Sequence, residues 1–341
     1  MFNRMYRLVA PHTVEPVQQQ VVIGDDDVVV RPTHLSICNA DQRYYQGKRS
    51  ARVMAKKLPM ALIHEGVGQV VFDARGDFAP GTRVAMVPNA PVEHDEVIAE
   101  NYLRSSRFCG SGFDGFMQEL CILPRARVLE LPAGMDLRVA AFTELVSVAV
   151  HAVTRFESIA HSRRETVGVW GDGNLGFIVS LVLRMTNPSM RIFVFGRNSY
   201  KLADFTFVDD TFLTSGIPQD LLVDHAFECC GGEGSASAID QIIDYIRPEG
   251  TISLLGVSEN PVPVNTRMVL EKGLRLYGSS RSGRADFERT LALYRENPQM
   301  VDYLGSLVGS VIPVESVKDI ATAFEADIRK PMGKTVMEWN M

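Results

Sequence analysis

Gly171-Asp172-Gly173-Asn174-Leu175-Gly176 constrains this chain more than any other segment. It is a G-x-G-x-x-G run placed directly after the apolar segment Val167-Gly168-Val169-Trp170, which has strand character. It opens a second apolar stretch, Leu175 to Met185, of helical character. In a strand–turn–helix context each glycine has its own mechanical role. One makes a tight turn, one admits a pyrophosphate to the backbone, and one lets the helix pack on the strand. The helix start adds free N–H groups and a positive dipole end. Gly171, Gly173, Asn174, Leu175 and Gly176 are therefore candidate cofactor-binding residues. A glycine turn with a merely structural purpose is the competing explanation.

The surroundings agree with such a unit. Strand-like segments at Thr166 to Trp170, Arg191 to Phe195, Val223 to Cys230 and Thr251 to Leu255 alternate with helical ones, including Ser235 to Ile246. That alternation predicts βαβ units and a doubly wound parallel sheet. Upstream, short β-rich runs (Val28 to Val30, Leu35 to Ile37, Gly66 to Phe72, Thr82 to Val87) are broken by Pro32, Gly76-Asp77 and Pro80-Gly81, as in a barrel or sandwich. Val139 to Val153 reads as a buried helix. Lys334 to Trp339 reads as a strand returning to the first domain. The expected α/β organisation is a β domain over 1–147, completed by 284–341, around a dinucleotide-binding domain over 148–283. At 341 residues, two domains are the natural count.

The end of the second strand bears on the choice of cofactor. An NAD site places an acid about 20 residues past the glycine motif, where it accepts from the ribose 2′-OH. Here Gly196 and Arg197 occupy that position, with Lys201 in the next turn. A glycine leaving room and an arginine able to bind a 2′-phosphate favour NADP(H). A solvated loop charge is the plainer account of Arg197.

Three polar features of the outer domain belong together. Cys38 follows a short strand, His64-Glu65 precedes another, and Glu144 is the only charged residue between Val139 and Val153. A carboxylate in so apolar a stretch is costly unless its desolvation is offset. Zinc would offset it, and thiolate, imidazole and carboxylate are its usual ligands. Each residue alone also has an ordinary structural explanation, such as core filling or a core hydrogen bond.

The order Cys38, His64-Glu65 with Gly68 and Val70, Pro80-Gly81-Thr82-Arg83-Val84, Glu144 and then the glycine motif resembles the zinc-containing medium-chain dehydrogenase/reductase family over nearly the whole chain. The resemblance implies a GroES-like β-barrel catalytic domain joined to a Rossmann domain. Glu144-Leu145-Val146-Ser147-Val148 is similar to the polyol dehydrogenase branch, in which a glutamate replaces a cysteine ligand. By that likeness Cys38, His64 and Glu144 hold the metal, with Glu65 as a close, exchanging or water-linked neighbour. Asp41 matches an acid that orients the metal histidine. Two departures stand out. The lobe at about 88–110, where many members hold a structural zinc on four cysteines, contains only Cys109, so one zinc is expected. Ala40 stands where many members have Ser or Thr at the start of a proton relay, leaving water, Tyr44 or Glu65 to serve.

Between Gln42 and His64 lie six basic residues and no acid, in a chain with 35 basic and 41 acidic residues and a net charge of −6. A solvated surface explains this as readily as a substrate phosphate held by Arg43, Lys48 and Arg49. The stretch Ile37 to Tyr45 through His64-Glu65 resembles the ribulose-5-phosphate reductases, NADPH-preferring enzymes. This resemblance implies reduction of ribulose 5-phosphate to ribitol 5-phosphate, feeding a ribitol-5-phosphate cytidylyltransferase and hence teichoic acid or capsule polymers. It also implies a homodimer through the sheet edge at Leu274 to Gly278. An unphosphorylated polyol dehydrogenase and a non-catalytic NADPH-binding scaffold remain open alternatives. Cys229-Cys230 is expected in a core strand and His151 in a structural role, while His34 and His94 show no pattern. The acidic balance argues against a nucleic-acid partner. No long apolar run suggests a membrane span, no signal peptide is evident, and five scattered cysteines fit a reducing, cytoplasmic setting.

Overall fold

The computed structural model describes residues 1–330 and 332–341. They form two compact units: Met1–Ser147 with Ser282–Met341, and Val148–Arg281. The first unit is therefore discontinuous in sequence.

Unit one is built on a mainly antiparallel sheet whose strands run in the order Val128–Glu130, Arg83–Met86, Glu65–Asp73, Asp27–Ser36, Lys334–Trp339, Val308–Val314. Asp27–Ser36 pairs with Glu65–Asp73 through bulges at Val29/Val30 and Pro32/His34. Those bulges accommodate Pro32, which cannot donate to a ladder. Opposite it, Gly68 is required by close approach, because a Cβ there would lie 2.3 Å from the Arg31 carbonyl oxygen. The buried side chains of Val28, Val30, Leu35, Val70 and Val84 form the core with Tyr45, which stacks on Phe324 at 4.4 Å between centroids. A hairpin of Phe2–Ala10 with Thr13–Gln20, absent from the sequence-based expectation, pairs with Met60–Ala61. Its second strand, TVEPVQQQ, is exposed or half-buried throughout, so no apolar alternation announces it.

The expected single helix over Val139 to Val153 is instead two, Leu137–Ala140 and Thr143–Ile159, the first capped by the Asp136 side chain. Glu144 thereby sits in the first turn of the longer helix, beside its unpaired N–H groups.

Unit two is a six-stranded parallel sheet in the order Asp210–Leu213, Arg191–Gly196, Thr166–Trp170, Val223–Glu228, Ile246–Leu254, Arg275–Gly278. Numbered along the chain this is 3-2-1-4-5-6, the doubly wound dinucleotide-binding order. The strand order reverses beside Thr166–Trp170, so a ligand crevice falls at the carboxyl end of that strand. Val167, Val169 and Trp170 are buried on both faces, as a central parallel strand requires. The fourth strand stops at Glu228, two residues earlier than expected. The Glu228 carboxylate accepts from the N–H groups of Cys230 and Gly231, both at 3.0 Å, and turns the chain out of the sheet. Cys229 stays buried, but Cys230 is exposed rather than part of the core.

Candidate active site

Asp41 organises the metal-side residues. Its buried carboxylate accepts from the Cys38 N–H at 3.1 Å and from the Ile63 N–H at 3.0 Å, tying together two loops that are distant in sequence. The first bond fixes the entry to helix Asn39–Tyr45, so Cys38 stands at that helix's start. The second holds Ile63 at φ 71°, a left-handed conformation that is rare for a β-branched residue. That bend delivers His64 and Glu65 to the mouth of strand Glu65–Asp73. His64 Nδ1 lies 3.6 Å from Asp41 Oδ1, beyond hydrogen-bond length but well within electrostatic reach.

One donor atom each from Cys38, His64 and Glu65 lies within 4.8 Å of the others. Glu144 stands outside this tight trio, yet it feels the charges of His64, Glu65, Lys334 and Asp41. Burial, reinforced by Glu65, pushes its carboxyl up to about 7 despite the opposing pull of His64. Burial alone would lower the His64 pKa, but the Asp41 and Cys38 partners outweigh it and raise the value well above the ordinary range. The sulfur of half-buried Cys38, the His64 imidazole and the buried carboxylates of Glu65 and Glu144 bring together donors that a divalent cation can share. The donor types match zinc, and a bound cation would compete with the protons on His64 and Glu144.

A residue not singled out from sequence completes the cluster. Lys334, at the start of strand Lys334–Trp339, is buried, with Nζ 2.9 Å from Glu65 Oε1 and 2.8 Å from Oε2. It also donates to the Ile37 carbonyl at 2.9 Å. Burial would drive its pKa down, but the Glu65 and Cys38 charges outweigh that and raise it. Glu65 is thus held by a cation on one side while it faces the metal donors on the other. Only the lone basic residue opening an apolar strand hinted at this in the sequence.

In unit two the glycine motif forms a tight turn onto helix Asn174–Thr186. Gly171 has φ +139°, and a Cβ at Gly176 would lie 1.9 Å from the Gly171 carbonyl oxygen. Gly173 caps the helix with open space beside it, and Asn174 and Leu175 make the first turn. Asp172 Oδ2 accepts from the N–H groups of Arg197 and Asn198, both at 2.8 Å, and from Asn198 Nδ2 at 2.9 Å. A Cβ on Gly196 would lie 2.6 Å from that of Asp172. Asp172 therefore packs directly against Gly196, leaving no room for a side chain there. Arg197 is exposed, and Lys201 lies beside the exposed ring of Tyr200, 5.9 Å from its centroid.

Of the basic stretch, Lys48 is exposed, while Arg43, Arg49 and Lys57 are half-buried. Tyr44 is buried, and Ala40 presents no hydroxyl.

Comparison with known proteins now adds to this geometry. The alcohol dehydrogenase GroES-like domain matches residues 24–133, and the zinc-binding dehydrogenase domain matches residues 217–296. The ribulose-5-phosphate reductase of Bacillus spizizenii is 57% identical over 341 residues, covering 100% of both chains. The chain belongs to the zinc-type medium-chain dehydrogenase/reductase family, oxidoreductases acting on CH–OH groups. Ribulose-5-phosphate reductase 1 of Staphylococcus aureus is 54% identical over the same full length. The crystal structure of S. aureus TarJ in complex with NADPH superposes with a TM-score of 0.90 at 50% identity, covering 100% of each chain. The L-idonate 5-dehydrogenase of Escherichia coli, at 21% identity and a TM-score of 0.87, shares the fold.

Proposed function

We propose that this chain is a zinc-dependent NADPH reductase converting D-ribulose 5-phosphate to D-ribitol 5-phosphate. The observation that carries the reading is its 57% full-length identity to a protein of that name, together with a donor set suited to zinc. Cys38, His64 and Glu144 would hold the metal, with Glu65 adjacent and Asp41 orienting His64. Zinc would supply Lewis-acid polarisation of the C2 carbonyl, and NADPH the hydride. The turn from Gly171 to Gly176 would seat the pyrophosphate against the start of helix Asn174–Thr186. Arg197 and Lys201 would face the 2′-phosphate, with Asp172 setting the backbone from which Arg197 projects. Asp41 keeps the His64 loop fixed while Lys334 restrains Glu65, so the donors need little rearrangement during turnover. Ala40 has no proton to give, so water or a neighbouring group supplies the new hydroxyl.

In this reading the product passes to a ribitol-5-phosphate cytidylyltransferase in the cytoplasm, for teichoic acid or capsule synthesis. Strand Arg275–Gly278 ends the parallel sheet and would form the edge of a homodimer. Among the described residues no helix is long and apolar enough to cross a membrane. The test is NADPH oxidation with ribulose 5-phosphate, with and without a zinc chelator, with NADH and unphosphorylated ribulose as comparisons. Turnover that survives full zinc removal would overturn the reading, as would equal kcat/KM for the two ketoses.

A further inference from the structure

In the parallel-sheet unit, one buried carboxylate holds the chain at two neighbouring strand ends. Glu228 closes strand Val223–Glu228. Its Oε1 accepts from the N–H groups of Cys230 and Gly231 and from the Ser235 hydroxyl, each at 3.0 Å. Its Oε2 accepts from the Gly256 N–H at 3.0 Å, in the loop that follows strand Ile246–Leu254. Four donors on one carboxylate thus bind loops 229–232 and 255–258 into one body. The loops also join directly. The Gly232 N–H donates to the Val257 carbonyl at 3.0 Å, and the Ser258 hydroxyl donates to the Gly232 carbonyl at 3.0 Å. The joint is tight enough to require glycine on both sides: a Cβ on Gly256 would lie 2.5 Å from either Glu228 oxygen, and Gly231 is left-handed at φ +65°.

The first of these loops also meets the glycine turn. The Cys229 N–H donates to the Trp170 carbonyl at 2.8 Å, and Cys230 Sγ donates to the same oxygen at 3.4 Å. A Cβ on Gly171 would lie 2.9 Å from the Cys229 carbonyl carbon. In a doubly wound sheet each half seats one mononucleotide, at the carboxyl ends of its strands. The glycine turn and Arg197 belong to the half that takes the adenosine side. Loops 229–232 and 255–258 crown the other half, where the nicotinamide falls. Burying a carboxylate is costly, and this one is satisfied only while both loops keep their places.

We propose that Glu228 is a positioning residue for the nicotinamide half of the cofactor, fixing loops 229–232 and 255–258 as one wall of the crevice so that the ring is held for hydride transfer. This rests on the NADPH reading above. Glu228 itself touches no reacting atom and acts through the two loops.

The test is Glu228→Gln in the full-length enzyme. An amide keeps one acceptor oxygen and turns an NH2 group toward the remaining donors, so the two loops are no longer tied to one group. The kcat for NADPH oxidation with ribulose 5-phosphate should fall about 10- to 100-fold, the scale set by a reacting group displaced by about 1 Å. The probe 2′,5′-ADP carries the adenosine half and the 2′-phosphate but no nicotinamide. Its dissociation constant should stay within about twofold of native, and zinc content should be unchanged. Ser258→Ala removes only hydroxyl links at the same joint and should lower kcat about two- to tenfold with the same selectivity, which keeps the test readable even where Glu228→Gln does not fold. Loss of 2′,5′-ADP affinity in step with kcat means a general loosening of the unit and overturns the positioning role, while the cofactor reading stands. Native kcat in both variants overturns it as well. A native protein that binds neither NADPH nor 2′,5′-ADP overturns the reading and the proposal together.

Discussion

Replacing Lys334 by methionine tests the account of the metal-side cluster most directly. The side chain keeps its length and loses its charge, leaving the fully buried Glu65 carboxylate without its cation. Removing one partner of a buried ion pair costs about 3–5 kcal/mol, because the other charge is left uncompensated. The lost bond to the Ile37 carbonyl lies within that range. For a unit of roughly 200 residues this corresponds to a fall of about 6–20 °C in melting temperature. Calorimetry of Lys334→Met, Glu65→Gln and the double variant closes a thermodynamic cycle. The double variant should melt above Lys334→Met, because neutralising Glu65 removes the stranded charge. A Lys334→Met protein within about 3 °C of native, well under the expected fall, would refute the reasoning. So would a double variant less stable than Lys334→Met.

Other consequences can be measured separately. Glu144→Ala should abolish zinc retention and turnover together, read by metal analysis of the purified protein. Because Glu144 titrates near 7 without a cation, metal affinity should fall as pH drops through 7, where protons compete for the site. Arg197→Gln should raise KM for NADPH about tenfold or more and leave KM for NADH unchanged, since only NADPH carries the 2′-phosphate. Gly176→Ala should cost most of the cofactor affinity, because its Cβ has no room against the Gly171 carbonyl; tryptophan fluorescence titration with NADPH reads this. Burial, with His161 adding to it, lowers the His225 pKa to about 4. The neutral ring bonds to the Arg163 carbonyl through Nε2 and accepts from the Thr251 N–H through Nδ1, so a second proton has no place. Its folded value lies below the ordinary 6.5, so stability is constant above that pH and lost as pH falls from 6.5 towards 4. The loss reaches up to about 3 kcal/mol, and the melting profile of His225→Gln should be flatter across that window.

The parallel sheet is readable from sequence because its strands are short apolar runs separated by helices, a pattern that few architectures share. The glycine turn is readable because close approach leaves glycine as the one residue that fits. Cys38, His64 and Glu144 are visible as chemistry-bearing residues in apolar company. Lys334 is not, because 269 positions separate it from Glu65 and only the fold brings them together. Asp172 hides for a related reason. It occupies a variable position of a familiar motif, and its three hydrogen bonds reach a loop 25 residues away. Local pattern reveals elements and residue types, whereas burial and pairing across long separations belong to tertiary structure.

Strand Lys334–Trp339 also bears on how the protein is made. It lies between Asp27–Ser36 and Val308–Val314, and it supplies the cation beside Glu65. At about 5–20 residues per second, a ribosome takes about 10–40 s to move from Ser147 to this strand. During that time the His34–Ser36 end of strand Asp27–Ser36 waits for its partner, its other end already paired with Cys121–Pro124, while the parallel-sheet unit is completed at Arg281. The unit that begins the chain is thus finished second. A polypeptide released early, short of Lys334, carries the whole parallel-sheet unit but neither the closing strand nor the charge that steadies Glu65. Synthesis order thus makes the strand that brings Lys334 to Glu65 the last strand to arrive.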